Sequence, residues 1–272
     1  MKLKIGEHFF SWERPLVMGI LNLTPDSFYD GGSHHNIDDV LKHCEKMLTE
    51  GADIIDIGAF SSRPGSEIIS VKEENSRLIP YLIEIKKRFP DAIISIDTFR
   101  KDVAKNAIDN GADIINDISG GIFDKEMLPY IGENHIPYIM MHCGGSIESL
   151  HTNHIKENAC EIVKEFFERQ IEFLDNYGEQ QIILDPGIGF NKSMKSNFEL
   201  LNNIENYRVN NLPVLIGISR KSMIYKTLKT TPQEALNGTT VLNTIALMKG
   251  ADILRVHDVK EAVEAVKLVN EL

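Results

Sequence analysis

The stretch GADIIDIGAF occupies residues 51–60, and its opening returns as GADIIND at 111–117 and GADILRV at 250–256. In each copy a Gly ends a helical segment and a short Ile-rich run begins at once, which is how a chain passes from a helix to a buried strand. Comparable apolar runs lie at 16–21 (LVMGIL), 53–57, 92–96 (AIISI), 113–115, 137–141 (PYIMM), 181–184 (QIIL), 213–218 (PVLIGI) and 252–256. They lack the alternation of a half-exposed strand and read as parallel strands covered on both faces. Segments of helical period lie between them at 36–50, 71–88, 100–109, 155–176 and 258–271. Eight strand–helix units over 272 residues give about 34 residues per unit. That is the size expected of an α/β protein closing as one (β/α)8 barrel, a single domain over 1–272 with 1–14 as a lead-in. An open doubly wound sheet shows the same alternation; the number of strands favours the barrel.

Composition narrows the function. Lys and Arg number 29 against 40 Asp and Glu, a formal net charge of −11, which disfavours a nucleic-acid or membrane-surface binder. Cys44, Cys143 and Cys160 have no CxxC spacing, so neither a disulfide framework nor a thiolate zinc site is expected, and a reducing, cytoplasmic setting is. No run reaches the roughly 20 apolar residues that span a bilayer. His34, His35, His151 and His154 lack partners at metal-ligand spacing and read as solvated loop residues. PGIGF (186–190) lacks the third Gly of a dinucleotide loop, and no phosphate loop of the GxxxxGK[ST] type occurs. Cys143 reads as a small buried thiol, and Trp12 with Phe9 and Phe10 as a cap on the barrel bottom.

Polar residues gather where the strands end. Asn22 follows the first run, Arg63 the second, Asp97 closes the third, Asn116 the fourth, and Asp185 the sixth. Ser219, Arg220 and Lys221 follow the seventh, while Arg255 and His257 close the eighth. In a barrel these ends share one face, where active sites are built. Asp97 and Asp185 are acceptors set in apolar sequence, suited to the N–H groups of a nitrogen-rich ring, and Asn116 can donate and accept toward the same ring. Lys221 is a point charge for a carbonyl oxygen or ring nitrogen, while Arg63, Arg255 and His257 suit phosphate oxygens. Asn22 is a neutral oxygen donor of the kind magnesium accepts beside phosphate and water.

In order along the chain, NLTPDSF (22–28), SSRPGS (61–66), SIDTFR (95–100), IINDISGG (114–121), DPGIGF (185–190), GISRKS (217–222) and RVHDV (255–259) closely resemble the dihydropteroate synthases. The resemblance implies a single-domain barrel that joins (7,8-dihydropterin-6-yl)methyl diphosphate to 4-aminobenzoate, releasing diphosphate in folate biosynthesis. It implies magnesium as cofactor, a homodimer, and a target for sulfonamides. By motif position, Asp97, Asn116, Asp185 and Lys221 hold the pterin. Separately, Met140 or Met141 meets the pterin face or the core, and Met140 against the pterin face is the expectation taken. Ser62, Arg63, Arg255 and His257 take the diphosphate, Asn22 the metal. Phe190, Ser222, Arg63 and Pro64 shape the aminobenzoate pocket. The chain reads AFSSRPG at 59–65 where the family commonly has GESTRPG, so Ser62 keeps a hydroxyl but not the methyl. A methyltetrahydrofolate–corrinoid methyltransferase or an inert pterin-binding module would share the ring-binding positions but not the SRPG loop or the Arg-x-His pair. The connections 22–36 and 59–67 are long and polar, and are expected to order around bound diphosphate and metal.

Overall fold

The computed structural model describes residues 2–5, 8–11, 13–23, 37–60, 68–147, 150 and 155–272. Ser62, Arg63, Pro64, Trp12 and the four loop histidines named above lie outside them, as does most of each long connection. Two strands form an N-terminal antiparallel hairpin, β1 (Lys2–Ile5) and β2 (His8–Ser11). The parallel strands follow: β3 (Leu16–Asn22), β4 (Ile54–Gly58), β5 (Ile93–Asp97), β6 (Ile114–Asp117), β7 (Tyr138–Met141), β8 (Ile182–Asp185), β9 (Leu215–Ile216) and β10 (Ile253–Val256). Their order is β8-β7-β6-β5-β4-β3-β10-β9, and a parallel bridge from Leu184 to Val214 joins the two ends. The barrel is therefore closed, and the expected strands stand where the apolar runs put them.

Helices alternate with these strands. They are α1 (Ile37–Glu50), α2 (Val71–Arg88), α3 (Lys101–Asp109), α4 (Met127–Asn134), α5 (Ala159–Asp175), α6 (Met194–Asn202), α7 (Ile204–Tyr207), α8 (Ser222–Leu228), α9 (Leu236–Met248) and α10 (Val259–Val269). No helix among the described residues is long and apolar enough to cross a membrane. Phe9 does not cap the barrel bottom: it is 70% exposed, with the Lys4 ammonium 5.7 Å from its ring centre.

The GAD repeat has a physical reason. Gly51, Gly111 and Gly250 have φ of +101°, +96° and +95°, a backbone region that side-chain-bearing residues rarely enter. The Asp two residues on then accepts a backbone N–H from the neighbouring strand segment: Asp53 from Val17 at 2.9 Å, Asp113 from Ile94 and Asp252 from Val214, each at 2.8 Å. Each Asp also pairs with a cation, Arg14, Lys86 and Arg208 respectively. The repeat thus pins the amino end of a neighbouring strand at three places around the barrel.

Side-chain alternation along the strands separates two cores. Leu16, Met18, Ile54, Ile93, Ile114, Ile139, Ile183, Leu215 and Ile253 form one apolar cluster, which fills the lower barrel. Their neighbours, among them Ile55, Ile94, Ile115, Met140, Leu184, Ile216 and Leu254, join the larger cluster with the helices. Two residues beyond each inward position the side chain again faces inward. On β3, Leu16 is followed by Met18 and then Ile20; on the other strands those positions hold Asp56, Ser95, Asn116, Met141, Asp185, Gly217 and Arg255. A dry aliphatic floor therefore carries a polar layer directly above it.

Candidate active site

Asp56 anchors the polar layer. It is fully buried and accepts from the Ser95 hydroxyl at 2.7 Å, from Asn116 Nδ2 at 3.1 Å and from Arg255 Nε at 2.7 Å. A carboxylate beside the Asn116 amide dictates which way the amide turns: NH2 toward Asp56, carbonyl oxygen away from it. Arg255 Nη2 lies 2.7 Å from Asp97 Oδ2 and 2.6 Å from Asp56 Oδ2, so one guanidinium bridges both acids. Asp56 was not among the residues expected from sequence. Its only signal there is a charged side chain inside the apolar run IIDIG (54–58).

Asp185 is 7% exposed, and its Oδ1 accepts the Gly187 N–H at 2.7 Å. Its other oxygen has no hydrogen-bond partner among the described residues. Lys221 Nζ donates to the Ile188 carbonyl at 2.5 Å and lies 4.8 Å from the Phe190 ring centre. A Cβ on Gly217 would lie 3.7 Å from Arg255 Cβ and 4.0 Å from Lys221 Nζ, so this glycine leaves the space between the two cations open.

The charges in this pocket perturb one another. Burial pushes Asp97 up to about 7, opposed by Arg255 and reinforced by Asp56. Burial also raises Asp185, with Lys221 opposing, and pulls Lys221 down to about 8, with Asp185 opposing. Burial works against the Arg255 charge, but Asp56 and Asp97 outweigh it and hold the guanidinium protonated.

Asn22, Ser222 and His257 take their places at the same strand ends. His257 is exposed, and its backbone N–H donates to Ser219 Oγ at 3.2 Å. The same hydroxyl pairs with His257 Nδ1 at 3.0 Å, which fixes the direction of the ring and leaves Nε2 for a ligand. Asn22 is half-buried at the end of β3, and among the described residues no cluster of three or more His, Cys, Asp or Glu side chains could hold a metal. A single neutral amide oxygen still fits magnesium in its usual setting, where water and substrate phosphate supply most of the shell.

One expectation fails. Met140 belongs to the cluster between strands and helices, so it does not face the pocket. Met141, its neighbour on the opposite face of β7, packs with Phe99, Ile118, Cys143 and Leu150 in a small apolar cluster at the strand ends. Phe60 joins that cluster edge-on to Phe99 at 5.5 Å between ring centres, and Phe99 meets Phe123 likewise at 5.6 Å. Phe60 stands where the family pattern has Glu, and these two rings give it an apolar seat. The Asn116–Asp117 pair is divided in the same way as the two methionines. Asp117 turns outward and accepts from the Tyr138 hydroxyl and from the Ser119 backbone and side chain, holding the turn after β6. The Cys143 thiol is buried and pushed up to about 12 by that burial, which suits packing and not nucleophilic attack.

This closed barrel, with acids, an amide and two cations above its floor, matches the profile of the pterin-binding enzymes over residues 18–257. The chain is 42% identical to the dihydropteroate synthase of Clostridium beijerinckii, over 98% of each chain. It is 41% identical to that of Escherichia coli, over 99% of this chain and 95% of the relative. Its structure matches the Yersinia pestis dihydropteroate synthase, solved as a sulfonamide drug complex, with a TM-score of 0.92, 38% identity and coverage of 100% and 98%. The Xanthomonas albilineans enzyme, solved with 4-aminobenzoic acid, matches with a TM-score of 0.89 at 32% identity, over 98% of this chain and 96% of that one. The chain belongs to the dihydropteroate synthases.

Proposed function

We infer that this protein is a transferase joining (7,8-dihydropterin-6-yl)methyl diphosphate to 4-aminobenzoate, with release of diphosphate. The polar layer carries the reading: open acceptors on Asp185 and Asn116 lie above an apolar floor, beside Lys221 and Arg255. A pterin offers N–H donors along one edge and a carbonyl beside them. Asp185 Oδ2 and Asn116 Oδ1 take the donors, and Lys221 takes the carbonyl oxygen or adjacent nitrogen. Arg255 has Nη1 without a partner among the described residues, facing the ring end or the diphosphate. His257 Nε2–H donates to diphosphate oxygens, and Ser62 and Arg63 join it from the second loop. Asn22 would hold magnesium, which would supply positive charge beside the diphosphate. The acids about the ring stabilise positive charge on the exocyclic carbon as the C–O bond breaks. The weakly basic amine of aminobenzoate then attacks that carbon from the side of Phe190, Pro64 and Ser222, forming the C–N bond, and the proton it sheds goes to the released diphosphate or to water. Diphosphate release from the pterin substrate, followed with and without 4-aminobenzoate, tests the reading; no release with both substrates and magnesium present overturns it.

Proton occupancy at Asp97 gives this reading a pH dependence. With its carboxyl near 7, Asp97 is a neutral acid below that pH and loses acceptor strength toward ring N–H groups. Affinity for a pterin analogue is therefore expected to fall as pH drops from 8 to about 5.5, read by calorimetry. A flat profile means that Asp97 faces no ring donor.

A homodimer is the second part of the proposal. Val241, Ile245 and Met248 are exposed at i, i+4 and i+7 of α9, an apolar stripe on one helix face, and a second copy of the chain is the partner that covers it. Val241→Glu with Met248→Glu is expected to shift the light-scattering mass from two chains to one. An unchanged dimer places the interface elsewhere.

A further inference from the structure

Among the described residues, the reaction leaves one buried cation without a task. Lys192 lies two residues beyond Phe190, in the loop between β8 and α6, and is 4% exposed. Its Nζ is 3.0 Å from the His142 carbonyl, 3.0 Å from that of Gly187 and 3.1 Å from that of Phe190. An ammonium has three hydrogens and no acceptor, so three carbonyls saturate it, whereas a neutral amine would turn its lone pair on one of these oxygens. Burial pulls Lys192 down to about 7, while Asp185 and Cys143 favour its charge and Lys221 opposes it.

These carbonyls come from two loops. His142 follows β7; Gly187 and Phe190 follow β8. Backbone bonds run between the same loops: Asn191 N–H to Leu150 O at 3.0 Å, Ile155 N–H to Asn191 O at 2.8 Å, and Ser193 N–H to Ile155 O at 2.9 Å. Gly187 has φ of +65°, and a Cβ there would lie 1.9 Å from the His142 carbonyl oxygen. Only glycine permits so close an approach, which brings carbonyls of both loops within reach of one ammonium. The clamped segment carries Phe190 to the Lys221 ammonium and the Gly187 N–H to Asp185.

We propose that Lys192 is a positioning residue for the aminobenzoate side of the site, its ammonium clamping the loops after β7 and β8 so that Phe190 is held against Lys221. The proposal rests on the reading of Phe190 as a wall of that pocket. Lys192→Met keeps the length and removes the charge; Lys192→Gln keeps an N–H donor group. In steady-state kinetics Lys192→Met is expected to raise KM for 4-aminobenzoate about tenfold, equivalent to about 1.4 kcal/mol. Lys192→Gln is expected to fall between it and the wild type, and KM for the pterin diphosphate is expected to change far less than KM for aminobenzoate in both variants. A lysine that served only the fold would lower the unfolding midpoint and the active fraction, which reads as lost kcat at unchanged KM. Where Lys192→Met does not fold, Lys192→Gln carries the test. An aminobenzoate KM within twofold of wild type in a folded variant overturns the clamp. Wild-type protein with no activity in the same assay instead overturns the reading of the site, and the clamp with it.

Discussion

Asp185→Asn is expected to weaken binding of a pterin analogue by roughly ten- to a hundredfold, the worth of a charge-assisted hydrogen bond of about 1.5–3 kcal/mol. The carboxylate has one oxygen fixed by the Gly187 N–H, so the other is presented in a set direction to the ring. Asn is nearly the same size, but an amide either turns NH2 toward a ring N–H or gives up the Gly187 bond. It also removes the charge that sustains Lys221 as an ammonium, since Asp185 is what opposes the effect of burial there. Two ring contacts therefore weaken together. Calorimetric titration of the folded variant reads the loss directly, and unchanged affinity would remove Asp185 from the ring-binding set.

Arg255→Ala is expected to carry the larger penalty in stability. The guanidinium bridges Asp56, which is fully buried, and Asp97, which is half-buried. Its removal leaves Asp56 with Ser95 and Asn116 as its donors among the described residues. Stripping one partner from a buried ion pair costs about 3–5 kcal/mol, which should appear as a lowered urea midpoint. Binding of both the pterin alcohol and its diphosphate should fall, because Arg255 organises the ring-binding acids as well as serving phosphate. Adding Asp56→Ala should recover part of the lost stability, since the two residues act as one unit. Unchanged stability, with loss confined to the diphosphate, would reduce Arg255 to a phosphate ligand.

The barrel was legible because its strands are buried on both faces and its GAD repeat ends helices in a backbone conformation that glycine alone adopts readily. Asp97, Asn116, Asp185, Lys221 and Arg255 were legible because a polar or charged side chain at the end of an apolar run has few structural uses. What sequence did not reveal turns on side-chain alternation. Met140 and Met141 are chemically alike and adjacent, and only the register of β7 decides which one faces inward. Asp56 sits inside its strand and not at the end, so it lies below the face that strand ends define. Lys192, in the stretch FNKS (190–193), looks like any solvated loop lysine, because its three partners are backbone carbonyls, which leave no mark in residue identity. The hairpin of β1 and β2 was missed because four-residue strands rich in Lys and Phe resemble a lead-in.

The structure of the protein with a bound pterin analogue tests the central claim most directly. The ring is expected to lie on the polar layer, with its N–H edge on Asp185 and Asn116 Oδ1, Lys221 at its carbonyl side and Met141, not Met140, among its apolar contacts. A ring bound with those acceptors facing water, or seated away from the Asp56–Arg255–Asp97 bridge, would contradict it.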